Sequence, residues 1–168
     1  MMQFFEPDED CFELVVGPNH LIFVVAGNPA VKKRAGRTKD GRAYNPSNRL
    51  EKEFAKIANQ QLHKFGYGNF TFGNTSSLEI SIELNFAVSG RNNEERQRSL
   101  WAKGDPDNFS KYIQDALQGT IYENDKQLVR LQCQKFGWVG LPMGYTRVEI
   151  KRCDPNNLIK KWPSRSTV

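Results

Sequence analysis

Apolar and polar residues alternate along several short stretches of the chain, which is the period of a β-strand. The clearest is residues 77–86, where Leu, Ile and Phe alternate with Ser, Glu and Asn, so we predict a strand with one buried face. Residues 129–134 and 147–151 also alternate, and we expect residues 137–144 to join them as a hairpin. Residues 21–26 are apolar throughout, which predicts an inner strand covered on both faces.

Helical periodicity occupies two other segments. A first helix is predicted to begin at residues 45–47 and to end at Gly66, with apolar residues recurring on one face. A second is predicted over residues 107–118, followed by Gly119 in the position that favours a left-handed cap. Residues 89–103 are polar and basic without a sustained period, so we expect a long loop there.

This order of elements predicts an α+β fold of two layers, in which two main helices pack on one face of a mixed β-sheet of four to five strands. Residues 12–16 are a candidate partner strand for residues 21–26. We expect three regions: an acidic N-terminal extension at residues 1–20, a folded domain at 21–152 and a loose tail at 153–168.

The composition fits one domain, since 168 residues with 38% hydrophobic and 26% charged residues can bury a core. The longest apolar run is too short to span a bilayer, and the acidic N-terminus lacks the basic residues of a signal peptide. We therefore expect a soluble, intracellular protein with no membrane partner. Cys11, Cys133 and Cys153 have the spacing of neither a disulfide framework nor a zinc site.

The charge is unevenly distributed. The net charge is +5, and because residues 1–20 hold five acids and no Lys or Arg, the rest of the chain carries +10. Six cations lie between Lys32 and Arg42, a segment that we call the basic arm. Two interpretations remain open for it: a solvated surface loop, or a loop that follows the phosphates of a nucleic acid.

Acidic residues and a lysine share one face of the second predicted helix. At about 100° per residue, Asp107, Asn108, Lys111 and Asp115 fall together, and Asp105 precedes them in the entering turn. A helix of twelve residues is about 18 Å long and six extended residues span about 20 Å, so the chain after Gly119 can return beside it. We call the face formed by these side chains, together with Asp125 if it returns, the carboxylate–lysine face.

Converging carboxylates need a cation among them, and hard oxygen ligands favour Mg²⁺ or Mn²⁺ over Zn²⁺. Neither histidine of the chain, His20 or His63, is near this segment, which disfavours zinc. Plainer interpretations remain open: Asp105 or Asp107 as a helix N-cap, and Lys111 with Asp115 as a surface ion pair. A calcium loop is excluded, because its required glycine and glutamate positions are occupied by other residues.

Six sequence elements occur in a fixed order along roughly residues 21–150: Gly27-Asn-Pro29, the basic segment from Lys32 to Arg37, Arg42-x-Tyr44-x-Pro46, Asp105-Pro-Asp107-Asn108-x-x-Lys111, Asp115-Ala-Leu, and Asp125-x-Gln127-x-Val129. Together these motifs resemble the RusA family of Holliday junction resolvases, which are magnesium-dependent endodeoxyribonucleases.

The resemblance implies roles for individual residues. Asp105, Asp107 and Asp125 would bind Mg²⁺, with Mn²⁺ as a possible substitute, and Lys111 would be the catalytic lysine. Asn108 and Asp115 would be accessory members of the same face. We expect the DNA backbone to be held by four cations of the basic arm: Lys32, Lys33, Arg34 and Arg37.

The activity expected from the resemblance is the resolution of four-way DNA junctions by paired nicks, performed by a homodimer in DNA recombination or repair. An alternative is a protein that binds junctions or branched DNA without cleaving them. A transferase acting on a small nucleotide is a third possibility, although the chain contains no glycine-rich phosphate loop.

Overall fold

The computed structural model describes residues 15–154, apart from 65 and 69, together with residue 158. The strands among them are β1 (Val15–Gly17), β2 (His20–Ala26), β3 (Gly36–Arg37), β4 (Ala43–Tyr44), β5 (Leu78–Val88), β6 (Leu128–Val139) and β7 (Tyr145–Arg152). Five form a mixed sheet in the order β1-β2-β7-β5-β6, while β3 and β4 form a separate ribbon. The helices are α1 (Asn48–Lys64), α2 (Asn93–Trp101) and α3 (Pro106–Leu117). Together they confirm the predicted α+β fold with a mixed sheet.

The two strands with the strongest patterns were predicted correctly. In β5 the alternating Leu, Ile and Phe side chains are buried, and in β2 Leu21 to Val25 are all buried, as expected for an inner strand. β1 pairs antiparallel with β2, which confirms the part of the predicted partner strand that lies within the described residues. Residues 12–14 and most of the predicted tail lie outside them.

The predicted hairpin between the last two strands is wrong. β6 pairs parallel with β5, and β7 lies on the other side of β5, between β5 and β2. Alternation reports which face of a strand is buried but not which strand is its neighbour, so the sequence pattern could not reveal this insertion. Because parallel neighbours need a long crossover, the chain from β5 to β6 passes through α2 and α3.

The predicted loop at residues 89–103 is also corrected, because it contains α2. The N-cap of this helix is Asn92, whose side chain accepts a hydrogen bond from the Glu95 backbone N–H at 2.9 Å. The Glu95 carboxylate accepts one from the Arg91 backbone N–H at 2.6 Å. None of its residues is buried. A helix stabilised by its cap rather than by an apolar face has no hydrophobic period, which explains why the pattern missed it.

The core lies between the sheet and the two longer helices, α1 and α3. On α1 the buried side chains are Glu51, Phe54, Ala58 and Leu62, which share one stripe of the helix. Among the described residues, no helix is long and apolar enough to cross a membrane.

The sheet face opposite this core is charged. Glu149 of β7 accepts hydrogen bonds from His20, Lys151 and Arg147 at 2.8, 2.6 and 3.2 Å. Burial raises the pKa of Glu149, but these three partners outweigh burial and lower the pKa to about 2. The ionised form of this carboxyl is therefore favoured by folding.

Replacing Glu149 with glutamine is expected to lower the free energy of unfolding at pH 7 and to have a much smaller effect near pH 2, where about half of the folded-state carboxyl is protonated. A carboxyl whose pKa falls from 4.5 to about 2 on folding stabilises the protein above the higher value, and that contribution is lost as the pH falls toward the lower one. Urea unfolding at pH 7, 4 and 2 measures this, with Glu123→Gln, an exposed carboxyl, as the control. A difference between Glu149→Gln and wild type that persists unchanged at pH 2 would contradict the assignment.

Candidate active site

The carboxylate–lysine face lies on α3, which is held in place by its opposite side. Phe109, Ile113 and Leu117 are buried in the core, and Phe109 makes an edge contact with Phe86 at 5.4 Å between ring centroids. Pro106 occupies the first turn of the helix, where its missing N–H costs nothing. Asp107, Asn108 and Lys111 are exposed on the other side. A rigid helix therefore presents these polar groups to solvent.

The helix ends as the sequence predicts. Gly119 adopts φ of +75°, a left-handed conformation that glycine adopts without steric cost, and its N–H donates to the Tyr122 carbonyl at 2.7 Å. This turn reverses the chain and sends it back along α3.

The Asp105 and Asp107 side chains make no hydrogen bond or ion pair with another of the described residues. Asp105 stands at the N-cap position of α3, yet its side chain makes no capping hydrogen bond. Both residues are exposed. The plainer interpretation, in which the Asp105 carboxylate caps the helix, is therefore not supported for this side chain, and both carboxylates are available to a ligand.

Asp125 comes back beside the same helix. It begins a short 3-10 helix, Asp125–Gln127, and its Oδ2 lies 3.8 Å from the Nζ of Lys111. The preceding residue, Asn124, supplies the cap of this turn together with Gln127, so the Asp125 carboxylate is not needed for capping. The return of the chain brings Asp125 to Lys111, one helical turn beyond Asp107.

Tyr122 lies beneath this part of the site. It is fully buried, and its hydroxyl donates to the Gln114 carbonyl at 2.9 Å. Burial, and then the negative charges of Asp115 and Asp125, raise the pKa of Tyr122. Tyr122 is thus a buried, uncharged residue close to two acidic side chains, Asp115 and Asp125.

A chain of ion pairs leads from Lys111 into the protein. Asp115 accepts from Lys111 Nζ at 2.9 Å through Oδ1 and from Lys32 Nζ at 2.7 Å through Oδ2. Lys32 Nζ in turn lies 2.5 Å from Oε1 of Glu51, in the first turn of α1. We call Glu51, Lys32, Asp115 and Lys111 the ion-pair chain.

The pKa values within the ion-pair chain reflect these contacts. For Lys32, burial lowers the pKa, but the hydrogen bonds with Asp115 and Glu51 outweigh it, and the net pKa is raised. For Asp115, burial raises the pKa, but Lys32 and Lys111 outweigh it, and the net pKa is lowered. Both groups are therefore held in their charged forms.

Glu51 is the residue of this network that the sequence reasoning missed. It is buried, with 8% of its surface exposed, on the same helical stripe as Phe54, Ala58 and Leu62. An acid on the apolar stripe of a helix must have a partner, because an unpaired buried charge is costly. The place of Glu51 on the apolar stripe of α1 was therefore the sequence signal that could have revealed this residue.

The helix α3 packs against the edge strand β6, which carries Cys133. Burial first, and then the negative charge of Asp107, raise the pKa of Cys133 to about 11, while Lys135 lowers it. The Cys133 thiol is accordingly protonated at neutral pH and is a poor nucleophile. Cys133 is therefore a poor candidate for a nucleophile in this site.

Part of the basic arm has regular structure, whereas both interpretations drawn from the sequence treat it as a loop. β3, within the arm, pairs with β4, which directly follows Arg42, and the Thr38 N–H donates to the Arg42 carbonyl at 2.9 Å across the turn. Of the four cations predicted to contact DNA, Lys33, Arg34 and Arg37 are exposed. Lys32 instead has its ammonium between Glu51 and Asp115.

The donor set suits a hard divalent cation, although no complete metal cluster is formed. Among the described residues, no group of three or more His, Cys, Asp or Glu side chains is placed to hold a metal ion. Mg²⁺ is commonly bound through only one or two carboxylates and keeps several waters, so Asp105 and Asp107 fit its requirements. The assignment of Asp105, Asp107 and Asp125 as ligands stays a prediction.

Fold and site together define a basic α+β domain whose exposed carboxylates and lysine suit phosphate-ester chemistry. A family model described as endodeoxyribonuclease RusA matches residues 24–160 of the chain. The chain therefore belongs to the RusA endodeoxyribonuclease family, a family of nucleases that generally depend on a divalent metal ion. The resemblance inferred from the sequence motifs is confirmed. No curated protein matches the chain.

Proposed function

We propose that this protein is a magnesium-dependent endonuclease that resolves four-way DNA junctions by paired nicks. The observation that carries the proposal is the placement of Lys111 between Asp115 and Asp125, on the helix that also exposes Asp107. Acidic ligands for a cation and a fixed ammonium on one face are the groups that phosphodiester hydrolysis requires. Family membership supports the reaction class.

Asp105, Asp107 and Asp125 would hold the metal ion. When bound, Mg²⁺ supplies Lewis-acid activation of water and neutralises charge on the phosphate. In the reaction an oxygen of water bonds to phosphorus, and one phosphorus–oxygen ester bond breaks. Lys111 would place positive charge beside the oxygens that become more negative, or beside the departing oxygen, and thereby stabilise the transition state.

Lys33, Arg34 and Arg37 of the basic arm would hold the DNA backbone. Their exposed cations would displace condensed counterions from the phosphates, so affinity would fall with rising salt and would carry little sequence information. In this proposal the basic arm binds the DNA, and the side chains of the carboxylate–lysine face cleave it.

The edge strand β6 supports action as a homodimer. It ends the sheet, and along it lie five exposed large apolar residues: Val129, Leu131, Phe136, Trp138 and Val139. A long edge with exposed apolar side chains is a template for pairing with another strand. Because α3 packs near β6, two copies joined there about a two-fold axis would present two sites for opposed strands.

Junction binding without cleavage is the second candidate function. It is favoured by one observation, the lack of a three-ligand metal cluster among the described residues. Under this alternative the basic arm would still bind DNA, while Asp105 and Asp107 would have no catalytic task.

Incubation with an end-labelled four-way junction, with and without Mg²⁺, distinguishes the two. We expect nicks at symmetric positions on two opposed strands, dependent on metal, and none in linear duplexes that have the same arm sequences. Retarded but uncut junction in both Mg²⁺ and Mn²⁺ would support the binding protein and overturn the nuclease. Nicks on single strands without pairing would contradict the homodimer.

A further inference from the structure

Lys32 differs from the other predicted DNA-binding cations in its surroundings. Its Nζ lies 2.5 Å from Glu51 Oε1 and 2.7 Å from Asp115 Oδ2, and 23% of its side chain is exposed. Lys33, next in the chain, is exposed and uses its backbone N–H to donate to the Ser47 hydroxyl at 2.8 Å. Two carboxylates already neutralise the Lys32 ammonium, so it has little net positive charge left to attract a phosphate.

Asp115 links Lys32 to Lys111, the proposed catalytic lysine. Asp115 uses one oxygen for Lys32 and the other for Lys111, so both cations fix the orientation of its carboxylate. The Asp115 side chain is 21% exposed, whereas that of Lys111 is 51% exposed. Asp115, the less exposed of the two, therefore restrains the Lys111 side chain.

We propose that Lys32 and Glu51 are positioning residues that hold Asp115, and through it the Lys111 ammonium, in the active site, and that Lys32 does not contact DNA. This inference rests on the proposed function, since it concerns the same site. Charges alternate along the ion-pair chain from the first turn of α1 to the exposed end of Lys111. Each group is held by the one before it.

Glu51 anchors the inner end of this arrangement. Its second oxygen accepts from the Asn45 amide at 2.9 Å, and the residue is only 8% exposed. Tyr112 of α3 also bonds to this end of α1, through its hydroxyl and the Leu50 carbonyl at 2.8 Å. The Glu51 carboxylate that Lys32 contacts is thus itself fixed in place. The ion-pair chain can therefore hold the Lys111 ammonium in a defined position.

The steady-state kinetics of Lys32→Met and Lys33→Met on a four-way junction test the proposal. For Lys32→Met we expect kcat to fall at least about tenfold with KM unchanged, because an interaction made in the transition state is weakened. For Lys33→Met we expect KM to rise, kcat to stay the same and the slope of log affinity against log salt to change by about one, as for a lost phosphate contact. A Lys32→Met variant that behaves like Lys33→Met would overturn the proposal.

Loss of stability must be separated from loss of positioning, because Lys32→Met leaves Glu51 buried without its cation. The double variant Lys32→Met with Glu51→Gln removes that unpaired charge, and glutamine keeps an oxygen that can accept from Asn45. We expect its melting temperature to recover relative to Lys32→Met while kcat stays low. If kcat recovers together with the melting temperature, the role is purely structural and the proposal is wrong.

A measurement without DNA separates this inference from the proposed function. The rate at which acetic anhydride modifies Lys111, followed by peptide mass spectrometry, reports how firmly its amine is held. We expect this rate to rise at least about threefold in Lys32→Met and in Asp115→Asn, and to be unchanged in Lys56→Met, an exposed lysine of α1. An unchanged rate in Lys32→Met would overturn the inference even if the protein cleaves junctions, whereas a raised rate in a protein that cleaves none would overturn only the proposed function.

Discussion

Replacing Asp107 with asparagine is expected to reduce junction cleavage by about a thousandfold or more and to leave junction binding intact. Asparagine keeps the size of the side chain but removes the negative charge that a hard divalent cation needs. A metal that stabilises the transition state by several kcal/mol is lost with its ligand, and each 1.36 kcal/mol corresponds to a factor of about ten. Single-turnover cleavage in Mg²⁺ measures the loss, and gel retardation without metal measures binding.

The same result is expected for Asp105→Asn and Asp125→Asn, which complete the proposed ligand set. Asp40→Asn is the matched control, since this exposed residue lies in the turn of the basic arm and outside the carboxylate–lysine face. Cleavage by Asp107→Asn at more than a tenth of the wild-type rate would remove Asp107 from the ligand set. Equal loss of binding and cleavage would show that the substitution acts on the fold.

Replacing Phe109 with alanine is expected to lower the free energy of unfolding by about 3–5 kcal/mol. Phe109 is 1% exposed, contacts the Phe86 ring and lies under the turn at Gly104, where a Cβ would meet its ring at 3.5 Å. Truncation leaves a cavity on the buried side of the N-terminal end of α3, the end that carries Asp107. Because whole domains are stable by only about 5–15 kcal/mol, this single change consumes a large part of the margin.

Urea unfolding followed by circular dichroism measures the effect, with Tyr67→Ala, an aromatic residue that is 45% exposed, as the comparison. We expect Tyr67→Ala to cost less than about 1 kcal/mol. A comparable loss in both variants would mean that Phe109 is not the anchor of α3.

The contacts along α3 could be predicted from local spacing, because the residues that make them lie on one helix. Asp107, Lys111 and Asp115 follow the helical period, and α3 places Lys111 and Asp115 in contact. The return of Asp125 was predictable from chain length and the glycine after the helix. Contacts within α3, and between α3 and the turn that follows it, depend only on one short segment of the chain. Such contacts can therefore be predicted from the sequence.

The partners of Lys32 could not be predicted in the same way. Glu51 and Asp115 come from two different helices, and their approach depends on how α1 packs against α3. A cluster of six cations favours a phosphate-binding arm on composition alone, and nothing local marks the first cation as different. Packing between helices, rather than any motif, determines its surroundings.

Strand neighbours were the weakest part of the prediction for a related reason. The alternating patterns of β6 and β7 indicate which face of each strand is apolar. The order of the strands in the sheet depends instead on β5, which pairs with both of them. The exposure of β6 on both faces is a property of its edge position and was not visible in its alternation.

The parallel pairing of β5 with β6 has a consequence for how this enzyme matures. The segment 89–127, which carries α2, α3 and Asp125, lies between the two strands and must be synthesised before they can join. Pairing of strands so distant in sequence is slow, because closing a long loop precedes any gain from the contact. During synthesis the basic arm emerges well before Asp125, so under the roles proposed above a nascent chain would acquire affinity for DNA earlier than the capacity to cut it.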